Sequence, residues 1–185
     1  MFEAIDWAVA LVPVLLMLGL FIWLDVFKLM TFWETIGLLL LGALAAGAAY
    51  PVSGTFLDAL PLGFSTYSRF AAPWVEELIK GLAVVALFWF NRIGYKHDAV
   101  ISGFAIGAGF SVIENIIYLS RFPELSANVW MVRGLGTAVM HGTTSAVLAA
   151  TAHEFAERET RGAASEYDFN PLWFIPGLLI AVAIH

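Results

Sequence analysis

The chain contains no cysteine among its 185 residues, so disulfides, thiolate nucleophiles and thiolate–metal sites are all excluded. Charge is scarce. Asp, Glu, Lys and Arg make up 13% of the sequence, with 9 basic against 15 acidic residues and a formal net charge of −6. No basic run occurs, and basic residues are not interleaved with aromatic ones, so no nucleic-acid partner is expected. Several hydrolase signatures are missing too. His153-Glu-Phe-Ala-Glu157 lacks the second histidine of an HExxH zinc site. No Gly-x-Ser-x-Gly elbow is present, and Asp58 and Asp98 are peripheral, which rules out an intramembrane aspartyl pair. The first ten residues carry Glu3 and Asp6 with no basic region. The first apolar run is therefore expected to be a retained span and not a cleavable signal peptide.

What the chain does have is apolar length: 61% of it is hydrophobic. Six apolar segments run from about Ile5 to Leu24, Thr35 to Tyr50, Arg69 to Phe90, Asp98 to Ser120, Val129 to His153, and Pro171 to His185. A spanning helix needs roughly 20 such residues. The expectation is an all-α, polytopic transmembrane helical bundle of about six spans. It forms one integral membrane domain over 1–185, in contact with membrane lipid. Pro51-Val52-Ser53-Gly54 reads as a stop, Gly54–Ser68 as a mixed interfacial loop, and Glu154–Asp168 as a solvated loop. The sixth segment is still apolar at His185, so a truncated last span is expected there. Basic residues in alternate loops favour the side of Lys28, Arg92, Lys96, Arg158 and Arg161 as cytoplasmic.

Ionisable residues interrupt these runs at Glu76–Glu77, Glu114, His141 and His185, each at a cost on the order of 3 kcal/mol in hydrocarbon. At ~1.5 Å of rise per residue, Glu76 lies about 10 Å and Glu114 about 9 Å below one face, His141 about 18 Å below it, and His185 about 21 Å up from the other. All lie between the outer third and the midplane, which points to one shared site. Each has a plainer reading. Glu76–Glu77 would stabilise a helix N-terminus with Trp74 as belt anchor, and His141 would be a hydrogen-bonded core histidine. Against this, Lys80 follows the glutamate pair by one turn, and Glu114 has no basic neighbour on its own helix and needs a partner from another. Arg133 is expected to snorkel to the interface. Gly103, Gly107, Gly134, Ala138 and Gly142 form a close-packing signal for the fourth and fifth segments.

Carboxylates with imidazoles can activate water by general base catalysis. They can also hold a zinc-type ion with an open position for water, or form a proton pathway. A protease, a proton-coupled transporter and a non-catalytic membrane scaffold therefore all remain open at this point. A transporter would favour an internal repeat or matching broken helices, and the sequence has neither.

Glu76-Glu77-Leu-Ile-Lys80 resembles the EExxK motif of the PrsW family of intramembrane proteases. Gly103, Gly107, Glu114-Asn115 and Tyr118 resemble its second motif helix, His141-Gly142-Thr143-Thr144 its third, and His185 the histidine of its last. The likeness covers 69–185, the protease-like core, and the family is similar to the CAAX prenyl protease and bacteriocin-processing proteins. The resemblance implies an intramembrane endopeptidase of a prokaryotic cell membrane that cuts a membrane-anchored protein, as a PrsW-type protein cuts an anti-sigma factor at an extracytoplasmic site. It implies Glu76 or Glu77 as general base with Lys80 holding the pair. Glu114, His141 and His185 would ligate a divalent metal, expected to be zinc. Nothing in the sequence marks the substrate-binding residues.

Overall fold

A computed structural model of the chain describes residues 8, 11–16, 19, 20, 23, 30–122, 124–160 and 169–185. Half of the first expected span, Ile5 to Leu24, lies outside the described residues, as do Lys28, Arg161 and most of the expected second loop. Among the described residues there is no strand. From residue 30 onward, six α-helices follow among the described residues: α1 (Phe32–Ala59), α2 (Phe64–Phe70), α3 (Ala72–Trp89), α4 (Lys96–Arg121), α5 (Ala127–Thr160) and α6 (Phe174–Ile184), the last preceded by a 3₁₀ turn at Pro171–Trp173.

Two of these, α1 and α4, are long and apolar enough to cross a membrane by length and composition alone, and the stretch Pro171–Ile184 is a shorter apolar helix. Helix α3 has only 18 residues, and three of them are Glu76, Glu77 and Lys80. Its chemistry, and not a shortage of apolar residues, keeps its composition from reading as a span.

Helix α1 starts at a capping box. Glu34 N–H donates to Thr31 Oγ1, and Thr31 N–H donates to Glu34 Oε2 at 2.8 Å. The expected stop at Pro51 does not occur, and the helix runs on to Ala59. A proline removes one backbone donor and crowds the preceding turn, but in a membrane-type helix neighbouring side chains and helices make this tolerable. Just beyond it, Thr55 Oγ1 donates to the Pro51 carbonyl at 2.9 Å, and Ser53 Oγ, 2.8 Å from Tyr67 Oη, ties this stretch of α1 to α2. The expected loop over Gly54–Ser68 is accordingly the end of α1, a short turn and most of α2. The expected span from Arg69 is broken at Ala71 into α2 and α3. Helix α5 also runs past His153 to Thr160, where Lys96 and Arg158 pair with Glu154.

Helix α4 is the centre of the bundle, and residues 101–111 are buried without interruption. Glycines bring its neighbours into backbone contact. A Cβ at Gly42 would lie 1.9 Å from the Ile106 carbonyl oxygen, and one at Gly109 would lie 2.1 Å from that of Leu39, which locks α1 antiparallel to α4. On the other side, a Cβ at Gly103 would lie 2.4 Å from the Ser145 oxygen, and one at Gly107 would lie 2.0 Å from that of His141. The expected small-residue seam between the fourth and fifth segments is therefore real at Gly103, Gly107 and Gly142. The seam to α1 is also lined by small residues four apart, Gly42 with Ala46 and Ala45 with Ala49.

Candidate active site

The crossings set the depth of the ionisable residues. In the antiparallel α4–α5 pair, Gly107 faces His141. Side chains lean toward the N-terminus of their own helix, so Glu114 on α4 and His141 on α5 lean toward each other. Glu114 Oε2 ends 2.7 Å from His141 Nε2. Helix α6 meets α5 where Gly177 packs on Leu148. Eight residues onward on α6 and seven back on α5 cover about 12 and about 10 Å, which brings His185 level with His141. Their ring centroids lie 5.0 Å apart. Helix α3 brings Glu76, Glu77 and Lys80 to the same level.

Lys80 lies at the middle of the cluster and is fully buried, as are Glu77 and His141. Its ammonium donates to Glu77 Oε1 at 2.6 Å and reaches His141 Nδ1 at 2.9 Å and Thr144 Oγ1 at 3.4 Å. An ammonium has no lone pair to offer, so His141 Nδ1 is the acceptor. The ring proton is then on Nε2, which donates to Glu114. Glu77 Oε1 also accepts from Thr144 Oγ1 at 3.0 Å and lies 2.7 Å from His185 Nδ1. His185 thus donates through Nδ1, which in a neutral ring leaves the lone pair on Nε2. That atom faces Glu76 Oε2 at 3.6 Å, beyond hydrogen-bond length.

Two carboxylate oxygens are left over. Glu76 Oε2 and Glu77 Oε2 are buried and have no hydrogen-bond partner, a costly condition for an acceptor. One ligand atom from each of Glu76, His141 and His185 lies within 4.8 Å of the other two. Two imidazoles and a carboxylate with an unsatisfied oxygen suit a tetrahedral divalent metal with one position left for water. Each histidine also has a carboxylate on its other nitrogen, Glu77 for His185 and Glu114 for His141, the usual way a ligating imidazole is oriented.

A cavity of about 380 Å³ opens between α1, α2 and α4, and Glu76 and Glu114 are among its walls. Glu77, Lys80 and His141 lie behind them, away from solvent. Adjacent residues on a helix point about 100° apart, so the glutamate pair is divided between the cavity and the buried network.

The structure brings together every residue singled out from the sequence, and it adds others. Arg133 does not snorkel. Its Nη2 donates to Glu114 Oε1 at 2.8 Å, and its guanidinium lies 3.5 Å over the Tyr118 ring. Thr137, which accepts from Ser111 at 2.8 Å and Asn115 at 3.1 Å, donates to the Arg133 carbonyl at 2.9 Å. The signal for Arg133 was present: Glu114 needed a partner from another helix, and Arg133 precedes His141 by about two turns on one helix.

A sequence model of the PrsW family of intramembrane metalloproteases matches residues 30–185. No curated protein and no solved structure gives a significant match. The matched region holds all six helices, including α1, which the motifs alone did not reach. The buried glutamate–histidine cluster and this match agree, and the chain belongs to the PrsW family of intramembrane metalloproteases.

Proposed function

We propose that Glu76, His141 and His185 hold a zinc ion, and that Glu77 and Glu114 orient the two imidazoles. The observation that carries this reading is the unsatisfied Glu76 Oε2 facing the lone-pair nitrogen of His185. The sequence suggested Glu114 as the carboxylate ligand and Glu76 or Glu77 as base. The geometry favours a different division, because both Glu114 oxygens are already engaged, by Arg133 and by His141. Lys80 has Glu77 and Thr144 as further acceptors, so it can release His141 Nδ1 to the ion.

Zinc, when bound, lowers the pKa of a bound water to about 7 and polarises a carbonyl. The side chains do the rest. Water and substrate arrive through the cavity, where Glu76 is the carboxylate with an oxygen to spare. A carboxylate has two oxygens, so Glu76 can ligate through one and take the proton of the attacking water on the other. Glu77 is buried and triply bonded through Oε1; its part is to fix His185 and to balance Lys80. The reaction is hydrolysis of a peptide bond in a membrane-anchored protein, near the face where the cavity opens, with an anti-sigma-factor type of substrate suggested by the family. Helix α1 supplies a wall of that cavity, so the working domain includes it and does not begin at Arg69.

Elemental analysis of the purified protein tests the ligand set. Wild type is expected to carry about one zinc per chain, and His185→Ala and Glu76→Gln much less. Glu76→Gln should also abolish cleavage while the protein stays folded. Undiminished zinc in both variants would sink this ligand set.

A further inference from the structure

We propose that the cavity between α1, α2 and α4 is a substrate groove that takes an unwound, extended stretch of polypeptide with one bulky apolar side chain beside the bond to be cut. The inference rests on the proteolytic reading of the Glu76 centre and adds the chemistry of what enters it.

Three observations carry the proposal. The first is continuity, since Glu76 and Glu114 are walls of the same cavity. The second is length. Along α1 the lining runs from Ala46 to Asp58, about 18 Å of helix. An extended chain covers that in about five residues at roughly 3.3 Å each, which exceeds what a single side chain would use. The third is chemistry. Tyr50, Phe64, Tyr67, Phe110 and Tyr118 supply aromatic surface, and Ala46 and Ala49 leave room between the helices. The Tyr50 and Tyr118 hydroxyls can pair with a peptide backbone that has given up its own helical bonds, which hydrocarbon could not do. Asp58 and Arg121, both exposed, also belong to the lining, so the groove leads from a polar rim to the buried carboxylates.

The chain has no cysteine, and this allows a test that does not depend on turnover. Gly54 lines the cavity, and a Cβ built there meets nothing within 4 Å, so Gly54→Cys introduces a thiol into open space. Leu44→Cys, on a 71% exposed position of the same helix, is the lipid-facing control. The probe is a library of single-span membrane proteins with one fixed cysteine and ten randomised residues beside the span, co-reconstituted with each variant and oxidised. Disulfide capture at Gly54→Cys is expected to exceed capture at Leu44→Cys. The captured pool should be enriched about tenfold for Phe, Tyr, Trp, Leu or Met at one fixed spacing from the cysteine, a discrimination typical of an apolar pocket. Equal capture at both positions, or a Gly54→Cys pool no different in composition from the control pool, would overturn the proposal. Cleavage of the same library by the unmodified protein is scored separately. Enriched capture without cleavage would leave the groove standing and count against the hydrolytic reading of Glu76.

Discussion

Gly107→Ala adds one methyl group and should damage the site from a distance. The new Cβ would lie 2.0 Å from the His141 carbonyl oxygen, 2.4 Å from its carbon and 2.7 Å from Gly142 Cα. Ordinary contact begins at 3.4 Å, so α4 and α5 must separate by about 1.4 Å at that point. All three atoms are backbone in mid-helix, and no rotamer change relieves the clash. The Glu114–His141 bond is 2.7 Å long, and a gain of even 0.9 Å along it ends it, since a contact of 3.6 Å is no hydrogen bond. Overpacking of this kind costs roughly 1–3 kcal/mol. A misplacement of about 1 Å at a reacting centre costs on the order of a hundredfold in rate. Gly136→Ala is the control: it lies on the same helix as His141, and a Cβ there meets nothing within 4 Å. It should be neutral or slightly stabilising, by up to about 1 kcal/mol. The assay is thermal unfolding in one detergent, paired with the rate of cleavage of a membrane-anchored reporter. If Gly107→Ala matches Gly136→Ala in both, backbone contact does not set the position of His141 and the reasoning fails.

Two further outcomes follow from the buried network. Arg133→Gln strips Glu114 of its cation, and zinc affinity should fall about 10–100-fold, the usual effect of losing an outer-shell partner. Arg133→Lys should recover only part of it, because a lysine offers a point charge without the planar fork that stacks on Tyr118; isothermal titration with zinc reads both. Lys80→Met leaves Glu77 and His141 short of a partner in a site 1% exposed or less, at a cost of about 3–5 kcal/mol. Adding Glu77→Gln should return part of that in a thermal melt, and a double variant no more stable than Lys80→Met would contradict the pairing.

The helical class and the convergence of Glu76, Glu77, Glu114, His141 and His185 were legible in the sequence for one reason. Charges are so costly in hydrocarbon that they must find one another, and depth can be counted along a helix. What was not legible needed partners or angles. Pro51 reads as a stop in isolation, and the packing of α1 on α4 carries the helix through it. Gly42 and Gly109 lie in separate segments that each hold other glycines, and nothing local says which backbone each of them meets. The adjacency of Glu76 and Glu77 is obvious, yet which of them faces the cavity depends on the rotation of α3 in the bundle. Arg133 was misread because a long cation near a helix end has two outlets, and the nearer carboxylate was on another helix.

The bond between Glu77 and His185 joins residues 108 apart in sequence, whereas Lys80 lies three residues from Glu77. At a synthesis rate of about 5–20 residues per second, Glu77 is made roughly 5–20 s before its histidine exists. An unpaired glutamate entering the bilayer during that interval would resist insertion. The lysine one turn away is available as soon as α3 forms its first turns. It lets the glutamate enter the membrane as half of an ion pair, and His185 adds a further donor to the same carboxylate oxygen when α6 arrives, the lysine keeping its bond.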